Sequence, residues 1–176
     1  IPSRGLGDVY KRQNLNSTLY KFDGGTTTIT TTSGENIELG ATAATTIASA
    51  GESLTFATGT IDLSNGTDLT INSVGGAITI AGIAGHSDET VTISADDAIA
   101  DGGEGDSTTE TVSLGNVGDS DSTEIHNLTV TADEGITLTG AIYTSADATD
   151  TGSEGADIVF NDKVLVNGTV IIDSND

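Results

Sequence analysis

The chain has 176 residues, of which 27 are acidic and five are basic, and its formal net charge is −22 at pH 7. This balance argues against binding to nucleic acid, because contacts to phosphates require lysine and arginine, and against attraction to anionic membrane surfaces. The chain has no cysteine, so it offers neither disulfides nor thiol chemistry. No apolar run approaches the roughly 18 residues that a membrane-spanning helix needs.

Residues 1–13, IPSRGLGDVYKRQ, differ in chemistry from the rest of the chain. They contain three of the five basic residues and the only proline. The run RGLGDVYKRQ resembles a translated sequencing-adapter tail, so we interpret 1–13 as a non-native tail and leave it out of the fold. The alternative is a short basic N-terminal arm. Because the chain also contains no methionine, we interpret residues 14–176 as an interior fragment of a longer protein.

Short runs in which Ile, Leu or Val alternates with Thr follow one another through the rest of the chain. β-Branched residues favour strands, a period of two indicates strands, and the intervening Gly, Asn, Asp and Ser are turn residues. The pattern therefore predicts an all-β protein. The predicted strands are 18–22, 26–32, 36–39, 53–58, 60–64, 68–73, 77–82, 89–95, 109–115, 126–132, 135–144 and 156–172.

Parts of the chain are similar to each other. LTINSVGGAITIAG at 69–82 aligns with LTVTADEGITLTG at 128–140, and Phe56 and Phe160 are each followed by an NGT triplet, which suggests a second, longer repeat. Self-similarity predicts a solenoid, in which each coil packs on the next and a thin aliphatic core suffices. We expect strands about 15 to 25 residues apart to pair in parallel, in roughly seven to nine coils spanning about 35 to 45 Å. The alternative is a tandem β-sandwich with antiparallel pairing.

The segment NLTVTADEGITLTGAIYTS (127–145), followed after an acidic insertion by ADIVFNDKVLVNGTVIID (156–173), resembles the repeat unit of filamentous-haemagglutinin-like giant bacterial surface proteins. The likeness is looser over 53–100. The resemblance implies a right-handed parallel β-helix, an extracellular or cell-surface location and an adhesive role. It also implies a glycan or cell-surface ligand and flanking repeats of the same chain as partners.

Three acidic segments interrupt the strand pattern, at 101–110, 118–124 and 147–157. Clustered carboxylates with glycine supply the oxygen ligands that Ca²⁺ prefers. The candidate calcium ligands are Asp101, Glu104, Asp106, Asp119 and Asp121. The alternative is a set of solvated turns that keep the protein soluble, with no cofactor. With calcium, the runner-up function is a Ca²⁺-stabilised β-sandwich adhesin.

Few residues suggest catalysis. His86 and His126 are forty positions apart in polar surroundings and are predicted to be surface histidines. The pair Asp96 and Asp97 offers two carboxyl groups, as glycoside hydrolysis requires, which leaves a polysaccharide-active β-helix enzyme as a third reading. Holding an acidic polysaccharide requires cations, however, and residues 14–176 contain only two lysines. We therefore predict a non-enzymatic structural and adhesive segment.

Overall fold

The computed structural model describes residues 13–15, 17–22, 24–31, 35–40, 43–64, 66–86, 88–96, 109–118, 123–145 and 156–175, and these form strands and turns without any helix. The strands are β1 (Gln13–Leu15), β2 (Leu19–Phe22), β3 (Thr27–Ile29), β4 (Ile37–Leu39), β5 (Thr45–Ala50), β6 (Leu54–Phe56), β7 (Ile61–Leu63), β8 (Leu69–Val74), β9 (Ile78–Ala84), β10 (Thr90–Ala95), β11 (Val112–Val117), β12 (Asn127–Ala132), β13 (Ile136–Leu138), β14 (Ile142–Ser145), β15 (Ile158–Asn161), β16 (Val164–Val166) and β17 (Ile172–Asn175).

The described strands pair only in parallel and form two sheets, one of six strands and one of eleven. Apart from the strands at the two ends of the described stack, each strand pairs with strands of the coil before and the coil after, which is the topology of a β-solenoid. The predicted all-β parallel solenoid is confirmed. The β-sandwich alternative is wrong, because it requires antiparallel pairs.

The pairing divides the solenoid into three faces. The first face is the six-stranded sheet of β2, β5, β8, β10, β12 and β15. The second face contains β3, β6, β13, β16 and the first halves of β9 and β11. The third face contains β1, β4, β7, β14, β17 and the second halves of β9 and β11. The chain passes from the first to the second to the third face in each coil.

The coils are fewer and longer than predicted. The register joins Leu54 to Ile78, 24 residues later, and Ile78 to Val112, 34 residues later. The six strands of the first face, at about 4.8 Å spacing, make the described stack roughly 25 to 30 Å long. The long coils arise because acidic segments are inserted between strands, so strand pattern alone underestimates the coil length.

Inward-facing columns of apolar side chains form the core, and on each face one of these columns runs through six strands. The first-face column is Tyr20, Ile47, Ile71, Ile93, Val130 and Phe160. The second-face column is Ile29, Phe56, Ile80, Leu114, Leu138 and Val166. The third-face column is Ile37, Ile61, Ile83, Val117, Ile142 and Ile172. The central members of each column are at most 2% exposed, and each buried aliphatic side chain contributes roughly 1.5 to 3 kcal/mol.

Some predicted elements differ from the structure. β5 was not predicted, because its inward residues Thr45, Ile47 and Ser49 include a single aliphatic side chain. The predicted run 135–144 contains two strands and 156–172 reaches into three, separated by the corners between faces. The alignment of 69–82 with 128–140 is confirmed, since both segments pass from the first to the second face. The match of Phe56 to Phe160 is wrong, because these residues lie on the second and the first face respectively.

Candidate contact surface

A ladder of hydroxyl groups runs along the outside of the second face. Its members, which we call the hydroxyl ladder, are Thr28, Thr55, Thr79, Ser113 and Thr137. They alternate with the inward core residues of their strands, so the burial pattern of these strands places them toward solvent. Parallel in-register pairing therefore repeats one hydroxyl position at about 4.8 Å along the axis.

The positions on both sides of the hydroxyl ladder carry small, uncharged residues. On one side the backbone pairing aligns Ser53, Ala77, Thr111 and Gly135. On the other side it aligns Thr30, Ala57, Ala81, Gly115 and Thr139. In a chain with 27 acidic residues, this face carries no charge at these described positions until Lys163 in the last coil. Before the last coil, these columns of the second face therefore carry no charge and only short side chains, whereas the last coil carries Lys163, Leu165 and Asn167 at the same positions.

The first face carries a similar but bulkier ladder. Its outward threonines are Thr46, Thr70, Thr92 and Thr129, in register. The next outward column contains the larger residues Asn72 and Asn161, and the Nδ2 of Asn161 donates to the Oγ1 of Thr131 over 3.2 Å. Amide side chains thus project from this face, which distinguishes it from the second face.

The third face carries charge. Glu38 and Asp62 are neighbours in the ladder, and the Nδ2 of Asn36 donates to Oδ2 of Asp62 over 3.3 Å. Asp173 lies on the same face in the last coil. Acidic residues therefore lie on the third face and at the corners, and the hydroxyl ladder itself contains none.

A buried carboxylate braces the corner between the third and first faces. The side chain of Glu89 is 0% exposed. Its Oε2 accepts the backbone N–H of His86 over 2.7 Å, and its Oε1 accepts that of Gly66 over 3.2 Å. Burial raises the pKa of the Glu89 carboxyl, the hydrogen bond from His86 opposes the rise, and the adjacent Asp88 adds to it. Since this carboxylate is directed at backbone donors, its role is to hold the corner.

The two histidines lie at this same corner in successive coils. The imidazole Nδ1 of His86 is 3.8 Å from Oε1 of Glu89, and its side chain is 47% exposed. His126 donates its backbone N–H to the carbonyl of Glu89 over 2.9 Å, and its Nδ1 lies 3.2 Å from the carbonyl oxygen of Ser145. The prediction of a surface histidine holds for His86, while His126 is partly buried.

The candidate calcium ligands, Asp101, Glu104, Asp106, Asp119 and Asp121, all lie outside the described residues, so calcium binding stays a prediction. Within the described part of the chain, no group of three or more His, Asp or Glu side chains is arranged to hold a metal ion. Of the carboxylate pair considered for catalysis, Asp96 directly follows β10 and Asp97 is outside the described residues.

Sequence reasoning missed the hydroxyl ladder and the burial of Glu89. The alternating threonines were visible in the sequence, but their alignment depends on coil lengths that differ from one coil to the next. Nothing in the run ETVTISA distinguishes Glu89 from the acidic residues of exposed turns.

Comparison of the chain with protein-family models, curated proteins and solved structures finds no match. The described residues contain no helix of the length and hydrophobicity needed to span a membrane. The resemblance to filamentous-haemagglutinin-like surface proteins therefore stays an expectation drawn from the sequence motif.

Proposed function

We propose that this chain is a non-catalytic structural and adhesive segment of a large secreted or cell-surface bacterial protein. It extends a filament by stacking coils, and it presents the second face as the contact surface for a glycan or another cell-surface ligand. The observation that carries the proposal is the uncharged hydroxyl ladder on a chain whose net charge is −22.

The stacked architecture supports the structural part of this function. Continuous core columns on all three faces join the coils to their neighbours, so the free energy of folding is distributed along the axis. Lengthening such a solenoid requires only further coils of the same kind. A protein that must span a distance from a cell surface gains reach from this arrangement.

The distribution of charge supports the adhesive part. Removing a carboxylate from water is costly unless it is paired, so a face without carboxylates is easier to desolvate on contact with a ligand. The hydroxyl groups of Thr55, Thr79 and Thr137 each offer a donor and an acceptor. Their repetition from coil to coil allows many weak contacts to act together on one extended ligand.

An adhesion assay with matched face variants tests this proposal. Beads coated with the chain are passed over bacterial cells and over an array of immobilised polysaccharides, and retention under flow is measured. The double variant Thr55→Gln/Thr79→Gln adds bulky neutral side chains to the hydroxyl ladder without changing the net charge. The matched control, Thr70→Gln/Thr92→Gln, makes the same change on the first face.

We expect the wild-type chain to be retained, the second-face variant to lose most of this retention, and the first-face variant to keep it. Equal losses from both variants would contradict the assignment of the second face. A wild-type chain that adheres to none of the surfaces would contradict the adhesive role itself.

A further inference from the structure

The hydroxyl groups of the ladder are not used inside the protein. Within the described part of the chain, no side-chain oxygen of the hydroxyl ladder makes an internal hydrogen bond, and these side chains are exposed or half-buried. Hydroxyl groups at the borders of the same face, by contrast, join neighbouring coils. The Oγ of Ser53 accepts the backbone N–H of Ala77 over 3.2 Å, and the Oγ1 of Thr139 donates to the carbonyl of Leu114 over 2.9 Å. The ladder therefore keeps its donors and acceptors for a ligand.

The shape of the second face determines the direction in which a ligand lies on it. β6 and β13 have three residues each, so the face is only about 10 Å wide along its strands. Along the axis, the hydroxyl ladder repeats in five successive strands at about 4.8 Å. This spacing is close to the length of one sugar ring in an extended polysaccharide. A single sugar chain lying along the axis would therefore place its rings over successive ladder hydroxyls.

Carboxylates line the border between the second face and the first. Glu52 and Glu134 directly precede the border residues Ser53 and Gly135, and they are half-buried and exposed respectively. Together with the net charge of −22, they repel an anionic polymer that approaches the ladder, and such repulsion across an interface selects against the wrong partner. A cationic polymer would find its charge partners on the third face. The ligand that fits the ladder is therefore uncharged.

Threonine side chains suit the surface of an uncharged sugar chain. Each hydroxyl is both a donor and an acceptor, as sugar hydroxyls are, and each γ-methyl group offers apolar contact to the C–H groups of a ring. Contact removes water from neutral groups only, which costs much less than burying a charge. The ladder and the columns beside it contain no aromatic side chain at their described positions, so the affinity depends on repetition of weak contacts.

We propose that the ligand of the second face is an extended polysaccharide of uncharged sugars that lies along the solenoid axis. This inference rests on the proposed function, because it concerns the same contact surface, and it narrows the ligand to one chemical class. Because each contact is weak, affinity should rise with the number of coils that one chain covers. Short oligosaccharides should therefore bind poorly.

Two matched pairs of soluble polymers test the proposal. The pairs are hydroxyethyl cellulose with carboxymethyl cellulose, and dextran with carboxymethyl dextran, so the backbone is shared within each pair and the charge differs. Binding to the immobilised chain is measured by surface plasmon resonance at low and high salt. We expect a neutral polymer to bind, and its carboxymethyl partner to bind about tenfold more weakly at low salt. The difference should shrink at high salt, because salt screens the repulsion.

Border variants test the selection by charge. Glu52→Gln/Glu134→Gln removes the two border carboxylates, so it should strengthen binding of the carboxymethyl polymer and leave binding of the neutral polymer unchanged. The control, Asp157→Asn/Asp173→Asn, removes the same charge from two exposed residues outside the second face and should have a smaller effect. Circular dichroism verifies that each variant folds. Equal effects of the two variants on the carboxymethyl polymer would contradict selection at this border.

The ladder variants of the adhesion assay locate the binding site. Thr55→Gln/Thr79→Gln should weaken binding of the neutral polymer, and the first-face control Thr70→Gln/Thr92→Gln should not. Neutral polymers that fail to bind, while cells still retain the chain through the ladder, would overturn this inference and leave the adhesive function standing. Equal binding of both members of a pair at low salt would also overturn it. A chain that no surface retains would contradict both proposals together.

Discussion

The carboxylate of Glu89 accepts a hydrogen bond from the backbone N–H of Gly66, with 3.2 Å between Oε1 and the nitrogen. The two residues occupy the same corner in neighbouring coils, and the same carboxylate accepts the N–H of His86 over 2.7 Å. One buried side chain therefore joins two turns of the chain. The N–H of Gly66 also donates to Oδ1 of Asp88 over 2.9 Å, so two neighbouring carboxyl groups contact the backbone at this corner.

The raised pKa of Glu89 predicts a pH dependence of stability. Between the ordinary pKa of this carboxyl and its raised value in the folded state, the folded chain holds a proton that the unfolded chain has lost. The stability that this bound proton contributes is fully present below the ordinary pKa of the carboxyl group. It is lost as the pH rises through the raised pKa of the folded state. Glu89→Gln removes it, so the variant should gain stability relative to wild type as pH rises, by about 1.4 kcal/mol per unit of pKa shift.

Urea denaturation of both chains at a series of pH values measures this difference. The control is Glu134→Gln, which makes the same change at an exposed residue. The pH dependence should differ from wild type much more in the Glu89 variant than in the Glu134 variant. Similar changes in both would show that the burial of Glu89 has no such effect.

Replacing Thr45 by valine should stabilise the chain. The side chain of Thr45 is 0% exposed and its Oγ1 has no hydrogen-bond partner. Val91 occupies the same inward column, so the site accepts an aliphatic side chain. Removing an unpaired buried hydroxyl is expected to increase the free energy of unfolding by about 1 to 3 kcal/mol, as measured by chemical denaturation.

Thr31→Val is the matched control, because the Oγ1 of Thr31 donates to the carbonyl of Glu35 over 2.8 Å. Here the same substitution should destabilise the chain by about 1 kcal/mol. Two variants that change stability in the same direction would contradict the explanation by hydrogen bonding.

Gly76→Ala should destabilise the corner between the first and second faces. A Cβ atom at this position would lie 2.5 Å from the carbonyl carbon and 2.7 Å from the carbonyl oxygen of Glu52 in the preceding coil. That oxygen is held in place, because it accepts hydrogen bonds from the hydroxyls of Ser49 and Ser73 over 2.7 and 2.8 Å. We expect a loss of about 1 to 3 kcal/mol, measured as a lower midpoint of denaturation.

Gly24→Ala serves as the control for backbone effects. Gly24 belongs to the corresponding corner two coils earlier, and an added Cβ would meet no atom within 4 Å. This variant should unfold close to wild type. A comparable loss in both variants would show that close packing of coils at Gly76 is not the cause.

Calcium and magnesium should affect the melting temperature equally. Since the net charge is −22, any divalent cation weakens repulsion between the carboxylates by screening. Thermal unfolding in matched concentrations of the two ions, with chelator as reference, measures the effect. A larger stabilisation by Ca²⁺ would indicate a specific site, and variants of Asp101, Glu104, Asp106, Asp119 and Asp121 would then locate it.

The sequence by itself determined the class of fold. Alternation of Ile, Leu and Val with Thr predicts strands with one apolar face. The small size of those residues requires a thin core such as a solenoid provides. The similarity of 69–82 to 128–140 was sufficient to identify equivalent coils. These features are local, so they can be recognised without knowing which strands pair.

Only the tertiary structure determined the register of the strands, and the register determines which side chains align on the outer surface. Coil lengths depend on insertions at the corners, and a shift of one residue would exchange the inward and outward faces of a strand. Thr28 and Thr137 become members of one ladder only through the intervening pairs. Likewise, Glu89 is buried because the next coil covers it, and burial by a distant segment leaves no mark in the neighbouring sequence.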